Sequence, residues 1–240
     1  MSWVISIGGL KGGTGKSTVA QGLAVEAVRH GTLTILADMD VDAQSSVKWA
    51  ERRRAGGIKP LIDVRLMRAI AGIAPLRRLC DLLVIDTPGK ASHDTVKLAK
   101  ASDLLLLTSG ATVPELEPTL MLVESLRGAG IPEERIEVAL TKVFDAKNEA
   151  QARDYLRAGN YHALPVALRF NRLIAESANR GLTVTEVPQK AAAEQGRTFF
   201  EGIADAIAQA RDRAREAEAL RSQERAQDNQ RSRERGDRER

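Results

Sequence analysis

With 240 residues, 43% of them hydrophobic, the chain has enough material to bury one large core. A net charge of only +4 and an aromatic content of 3% argue against a dedicated nucleic-acid reader that stacks bases along a basic groove. The single cysteine, Cys80, excludes an internal disulfide and leaves no chelating cluster; there is no signal peptide and no apolar run near the roughly 20 residues of a membrane span, so a cytoplasmic protein is expected.

Trp3-Val4-Ile5-Ser6-Ile7 reads as a buried strand, and Thr18 to His30 as a helix closed by Gly31. Between them lies Lys11-Gly12-Gly13-Thr14-Gly15-Lys16-Ser17-Thr18, which describes a nucleotide-phosphate cradle. Its glycines permit turns closed to other residues and bring backbone N–H groups against phosphate oxygens. The helix start adds its positive dipole end. Lys16 places a point charge on the β- and γ-phosphates, Ser17 is the expected hydroxyl ligand of Mg²⁺, and Thr18 reaches the α-phosphate. Leu10 stands where the common G-x-x-x-x-G-K-[ST] pattern has its first glycine, so the cradle is a variant with a second lysine, Lys11. A glycine-rich turn before a helix is the competing, functionless reading.

The next strand, Leu33–Asp38, runs into Asp38, Asp40 and Asp42, and a helix follows from about Ser45 to Arg54. The carboxylates suit a metal and water site, although an Asp-rich turn that merely caps the helix fits too. Arg52-Arg53-Arg54 is expected at the exposed end of that helix, where positive charge suits the dipole. Leu61–Arg65 is a further strand. In Leu82-Leu83-Val84-Ile85-Asp86-Thr87-Pro88-Gly89, apolar residues ending in an acid describe a buried parallel strand aimed at the phosphates. Asp86 is then the candidate that holds Mg²⁺ through water, and Gly89 can move with the γ-phosphate. Leu104–Thr108, Glu137–Thr141 and Ala163–Val166 complete the strand-like runs, and a helix starting at Pro114 occupies much of Thr112 to Gly128. Thr141-Lys142-Val143-Phe144 puts Phe where the [NT]-K-x-D motif of GTP-specific proteins has Asp, so ATP is favoured. His30, His93 and His162 have no ligand spacing and are expected on the surface or in turns.

The alternation of strand and helix predicts an α/β fold, a mainly parallel twisted sheet flanked by helices in the manner of a P-loop NTPase, over residues 1–210. Residues 211–240 hold ten arginines and eight acids and little apolar surface. Opposite charges recur three apart, as in Asp212–Arg215, Arg213–Glu216, Glu218–Arg221 and Arg225–Asp228. A charged extension, helical or disordered, is expected there, without the apolar face that would bind a membrane.

Lys11 paired with Lys16 resembles the deviant Walker A box of the ParA/MinD superfamily, and Asp38 to Ser46 is similar to the D-x-D-P-Q box of ParA proteins. The segment departs from that box around Asp42 and Gln44. On these motifs the chain is identified as a member of that superfamily over roughly residues 1 to 207, nearest the ParA-type partition ATPases. The resemblance implies ATP and Mg²⁺ as cofactors and Lys11, Lys16 and Asp40 as catalytic residues. Lys11 would reach the nucleotide of a partner subunit in an ATP-dependent homodimer, and Thr112 to Gly128 would lie at the dimer face. Asp40 would orient or deprotonate the attacking water, while Ser17, Asp38 and Asp86 serve the metal. Lys142, Pro165 and Val166 would sit near the adenine. Arg169, Arg172, Arg180, Lys190 and Arg197 would neutralise phosphates of nonspecific DNA, although a solvated helix face explains them equally. A ParB-like or other adaptor protein would stimulate turnover of a nucleoid-associated, membrane-free protein that positions a plasmid, chromosome or protein cargo. The cysteine count excludes the iron–sulfur relatives. Two alternatives remain: a small-molecule phosphoryl-transfer or ligase enzyme of the same fold, and an ATP-dependent positioning adaptor that does not touch DNA.

Overall fold

The structure, a computed structural model, describes residues 2–89 and 94–238. His93 lies outside the described residues, as do the side chains of the tail pairs Glu218–Arg221 and Arg225–Asp228. Six parallel strands form one sheet: β1 (Trp3–Gly8), β2 (Thr34–Asp38), β3 (Asp63–Leu66), β4 (Leu82–Asp86), β5 (Leu104–Ser109) and β6 (Ile136–Leu140). Their spatial order is β3-β2-β4-β1-β5-β6. The helices are α1 (Lys16–Arg29), α2 (Ser45–Ala55), α3 (Ile73–Arg77), α4 (Asp94–Ala101), α5 (Val113–Gly128), α6 (Ala146–Ala158), α7 (Arg172–Ala178) and α8 (Lys190–Arg238).

Every residue of β2, β4 and β5 is buried because helices cover both faces of the sheet, which is why these strands read as continuous apolar runs. One face packs against α1, α2 and α8 through Leu23, Trp49, Phe199, Phe200 and Ile203. The other packs against α3 to α6. Gly22 of α1 admits α8 closely: a Cβ there would lie 2.0 Å from Cζ of Phe200. From β1 the chain leaves to one side for β2 to β4 and to the other for β5 and β6, so the carboxyl ends of β1 and its neighbours flank a crevice at a topological switch point. Register brings Ile7 and Asp38 each opposite Asp86.

The sheet is all-parallel. Two expectations need correction. Ala163–Val166 is not a strand but a chain held beside β6 by the bridge Val138–Ala163 and by Leu164 N and Leu168 N donating to Val138 O and Leu140 O. Pro165, between those donors, has no N–H to continue a ladder. Arg53 is not exposed with Arg52 and Arg54: it is buried under Trp49 with its guanidinium 5.3 Å from the ring centroid. Trp49 and Arg53 are one turn apart on the same helix face, and that spacing was the available sign.

Helix α8 passes residue 210 without a break. Its apolar face runs from Ala192 to Ala210, after which residues 212–217 are exposed. The pair Asp212–Arg215 is present at 3.7 Å, and Arg211 lies over the Trp3 ring at 5.1 Å. Among the described residues no helix is long and apolar enough to cross a membrane.

Candidate functional site

The segment from Gly9 to Gly15 loops out at the carboxyl end of β1 and is tied to the neighbouring strand ends. Thr14 Oγ1 lies 3.0 Å from Thr108 Oγ1 and donates to Lys11 O at 3.3 Å. The Thr141 hydroxyl donates to Thr14 O at 2.7 Å. Gly13 and Gly15 take φ of +80° and +86°, a region that side chains disfavour. Helix α1 starts at Lys16 with no acidic residue in its first turn, leaving its first N–H groups to an anion. Lys16 Nζ donates to Lys11 O at 3.0 Å, folding the ammonium over the loop. Burial lowers its pKa, and the nearby carboxylates of Asp86 and Asp40 act against that shift. Lys11 points outward and donates to Pro114 O, at the start of α5, at 2.6 Å.

On the β2–β4 side of the loop stand three carboxylates with different surroundings. Asp38 Oδ2 accepts from Ser46 N at 2.8 Å and Val47 N at 3.1 Å, and its Oδ1 accepts from Asp40 N at 3.0 Å. It therefore caps α2 across the loop. Burial raises its pKa while those three N–H groups pull it down. Asp40 Oδ1 accepts from Ala43 N at 2.9 Å, and Gln44 closes the turn at a φ of +50°. Asp86 is fully enclosed, and burial pushes its pKa up to about 7 against the Ser46 and Ser17 hydroxyls and Lys16. Its Oδ2 accepts from the Ser46 hydroxyl at 2.7 Å, and Gln21 Nε2 donates to Ser46 Oγ at 3.2 Å. Sequence reasoning gave Ser46 no role; its hydroxyl at the start of a helix after the carboxylates was the only signal.

Asp86 Oδ1 is buried and has no hydrogen-bond partner among the described residues. That orphaned acceptor beside Ser17 and the phosphate loop fits a divalent cation reached through water. No group of three or more His, Cys, Asp or Glu side chains is arranged to hold a metal among the described residues. The donor set thus suits a cation that draws its remaining ligands from phosphate and water, as Mg²⁺ does.

On the β5–β6 side lie the three residues expected near the base. Lys142 sits in the left-handed region at φ +53°, and its Nζ lies 3.5 Å from where a side chain on Gly13 would begin. Its charge is thus over the phosphate loop. Pro165 is exposed and Val166 half-buried at the edge of β6. The five cations proposed for DNA are all exposed but do not form one patch. Arg169 is bridged to Val143 beyond the carboxyl end of β6, whereas Arg197 lines a hollow of about 520 Å³ with His30 and Leu82 near the amino-terminal end of the sheet. Arg172 pairs with Glu176 at 3.0 Å, and Arg197 pairs with Glu194.

A family model described as the CobQ/CobB/MinD/ParA nucleotide binding domain matches residues 5–184. No curated protein sequence matches the chain. Among solved structures, the cell division ATPase MinD of Pyrococcus furiosus is similar at a TM-score of 0.69 and 18% identity, covering 85% of this chain and 99% of that one. The septum site-determining protein MinD of Pyrococcus horikoshii OT3, complexed with Mg-ADP, gives 0.67 and 18% over 85% of this chain and 96% of its own. A ParA family ATPase from Chlorobium tepidum TLS gives 0.66 and 15% over 83% and 96%.

Proposed function

The chain belongs to the CobQ/CobB/MinD/ParA nucleotide-binding family, and we propose that within it this protein is a ParA-type ATPase that cycles between a monomer and an ATP-bound homodimer. The observation that carries this reading is the convergence on one crevice of an anion-ready helix start, two lysines, and the buried, half-satisfied carboxylate of Asp86. The Mg-ADP held by the Pyrococcus horikoshii relative supports an adenine nucleotide with Mg²⁺.

Glycines 12, 13 and 15 and the start of α1 would cradle the phosphates through backbone N–H groups, with Thr14 fixing the loop and Thr18 at the α-phosphate. Lys16 would exchange its bond to Lys11 O for β- and γ-phosphate oxygens. Mg²⁺, when bound with the nucleotide, supplies charge neutralisation between those phosphates; Ser17 would ligate it and Asp86 would hold it through water. Asp38 keeps the loop and α2 in place beside Asp86. Asp40 would orient the attacking water and accept its proton. Catalysis is then mainly positioning and charge neutralisation. Lys11 would leave Pro114 O to meet the partner's nucleotide, and α5 would then lie at the dimer face.

Residues 1–210 form the ATPase body and 211–240 a charged extension. The ATP-bound dimer would hold nonspecific DNA through exposed cations, and a ParB-like or other adaptor would trigger hydrolysis to position its cargo. The test is retention on arbitrary duplex DNA. ATP-loaded protein should be retained and released by raising salt, with log affinity falling linearly against log salt. If no ATP-dependent retention occurs at low salt, DNA partition is abandoned.

A further inference from the structure

Beyond the carboxyl end of β6 two phenylalanines stand in the open. Phe144 is 64% exposed and Phe170 58% exposed, while the other two phenylalanines of the chain, Phe199 and Phe200, are buried. Their ring centroids are 6.1 Å apart with the planes tilted by 55°. A single exposed apolar residue needs no explanation, but an aromatic pair held in place by its backbone does. Val143 N donates to Leu168 O at 3.2 Å and Phe170 N donates to Val143 O at 2.8 Å, which locks the two chains that present the rings. Phe144 N also donates to Asn148 Oδ1 at 3.2 Å.

The pair lies beyond β6, on the side of the phosphate loop away from β2 and β4. Asp38, Asp40 and Asp86 fill the β2–β4 side, where the terminal phosphate and water belong. On the other side Thr141 is bonded to Thr14 and Lys142 reaches over Gly13, so Phe144 follows two residues beyond the contacts to the loop. Groups that would read the edge of a base are engaged there. Asp145 Oδ1 accepts from Asn148 N at 2.8 Å as the cap of α6, and Asn148 Nδ2 donates to Ala111 O at 2.9 Å.

We infer that Phe144 and Phe170 form the platform on which the purine base of the nucleotide stacks, so that the base is recognised by its face. A base cannot enter between the rings, since two stacked contacts need parallel planes about 7 Å apart. It lies over one ring while the other closes its edge. The inference rests on the nucleotide site proposed above and adds the residues that hold its organic half.

Titration calorimetry with Mg-ATP and with Mg-tripolyphosphate separates base from phosphate. The wild type should bind ATP about tenfold or more tightly than tripolyphosphate. Phe144→Ala and Phe170→Ala should each lose roughly tenfold to a hundredfold in ATP affinity and keep the affinity for tripolyphosphate. Phe144→Tyr should bind ATP as the wild type does, whereas Phe144→Leu should not. Unchanged ATP affinity in both alanine variants, or an equal loss for tripolyphosphate, would overturn the platform. Failure of the wild type to bind either ligand would instead overturn the nucleotide site itself, and the platform with it.

Discussion

Glu186→Gln removes the charge from one half of a buried ion pair and keeps its shape. The Arg53 and Glu186 side chains are 1% and 7% exposed. The guanidinium donates to the two carboxylate oxygens at 2.7 and 2.8 Å, Arg29 adds a bond of 2.6 Å, and Thr183 N donates at 2.9 Å. Breaking such a pair by removing one partner costs about 3–5 kcal/mol, because the other charge is left uncompensated. Arg53 would keep the carbonyls of Pro60 and Gly181, so the lower figure, ~3 kcal/mol, is expected. The pH dependence follows from the carboxyl group. Burial, the largest influence, raises the Glu186 pKa, but Arg53, the Thr183 N–H and Arg29 outweigh it and hold the net value below 4.5. The folded state therefore binds fewer protons than the unfolded one. The stabilisation is full above 4.5 and is lost as pH falls through the folded-state value. Urea unfolding should show the variant ~3 kcal/mol less stable at neutral pH, with the gap closing in steps of acid below 4.5. A gap that stays constant down the acid range, or is absent at neutral pH, would refute the ion pair as the clamp on α2.

Lys16→Ala should abolish ATP binding, whereas Asp40→Ala should bind ATP and hydrolyse it slowly; equilibrium binding beside a phosphate-release assay distinguishes them, and equal loss of binding contradicts the assigned roles. Ser46→Ala removes the donor to Asp86 Oδ2 and should lower stability by about 1–2 kcal/mol. It should also weaken ATP binding in the presence of Mg²⁺ more than in its absence, and equal affinities would deny Ser46 any part in placing Asp86. Gly22→Ala drives a methyl group into Phe200 and should destabilise by about 1–3 kcal/mol despite better helix propensity, as read by thermal unfolding. A neutral outcome would mean that α8 does not seat against α1 as described.

What was legible in the residues is what is local. A strand that must be buried on both faces is an apolar run, and a loop that wraps phosphate needs glycines, so β1, β2, β4 and the cradle are visible at once. The rest depends on partners distant in the chain. Arg53 reads as surface until Glu186, 133 residues away, closes on it. Ser46 is an ordinary helix-start serine until Asp86, 40 residues on, accepts its hydroxyl. Periodicity could not foresee that Pro165 interrupts the chain beside β6, because Leu164, Ala167 and Leu168 around it are buried all the same.

These distant partners have a common consequence for the turn that carries Asp40. At its start α2 is bolted to the sheet by Asp38 and by the Ser46–Asp86 bond. At its other end Trp49 Nε1 donates to Leu182 O, Arg52 Nε to Ala178 O, and Arg53 is clamped to Gly181 and Glu186. Neither β2 nor α2 is therefore free to carry Asp40 toward a nucleotide. Movement is left to the turn from Asp40 to Gln44, which is partly exposed and held by its own short bonds, Ala43 N to Asp40 Oδ1 and Gln44 Nε2 to Val41 O. Opening those two local bonds is a small step beside unfastening a buried ion pair, so motion of Asp40 is confined to its own five-residue turn and spares β2 and α2.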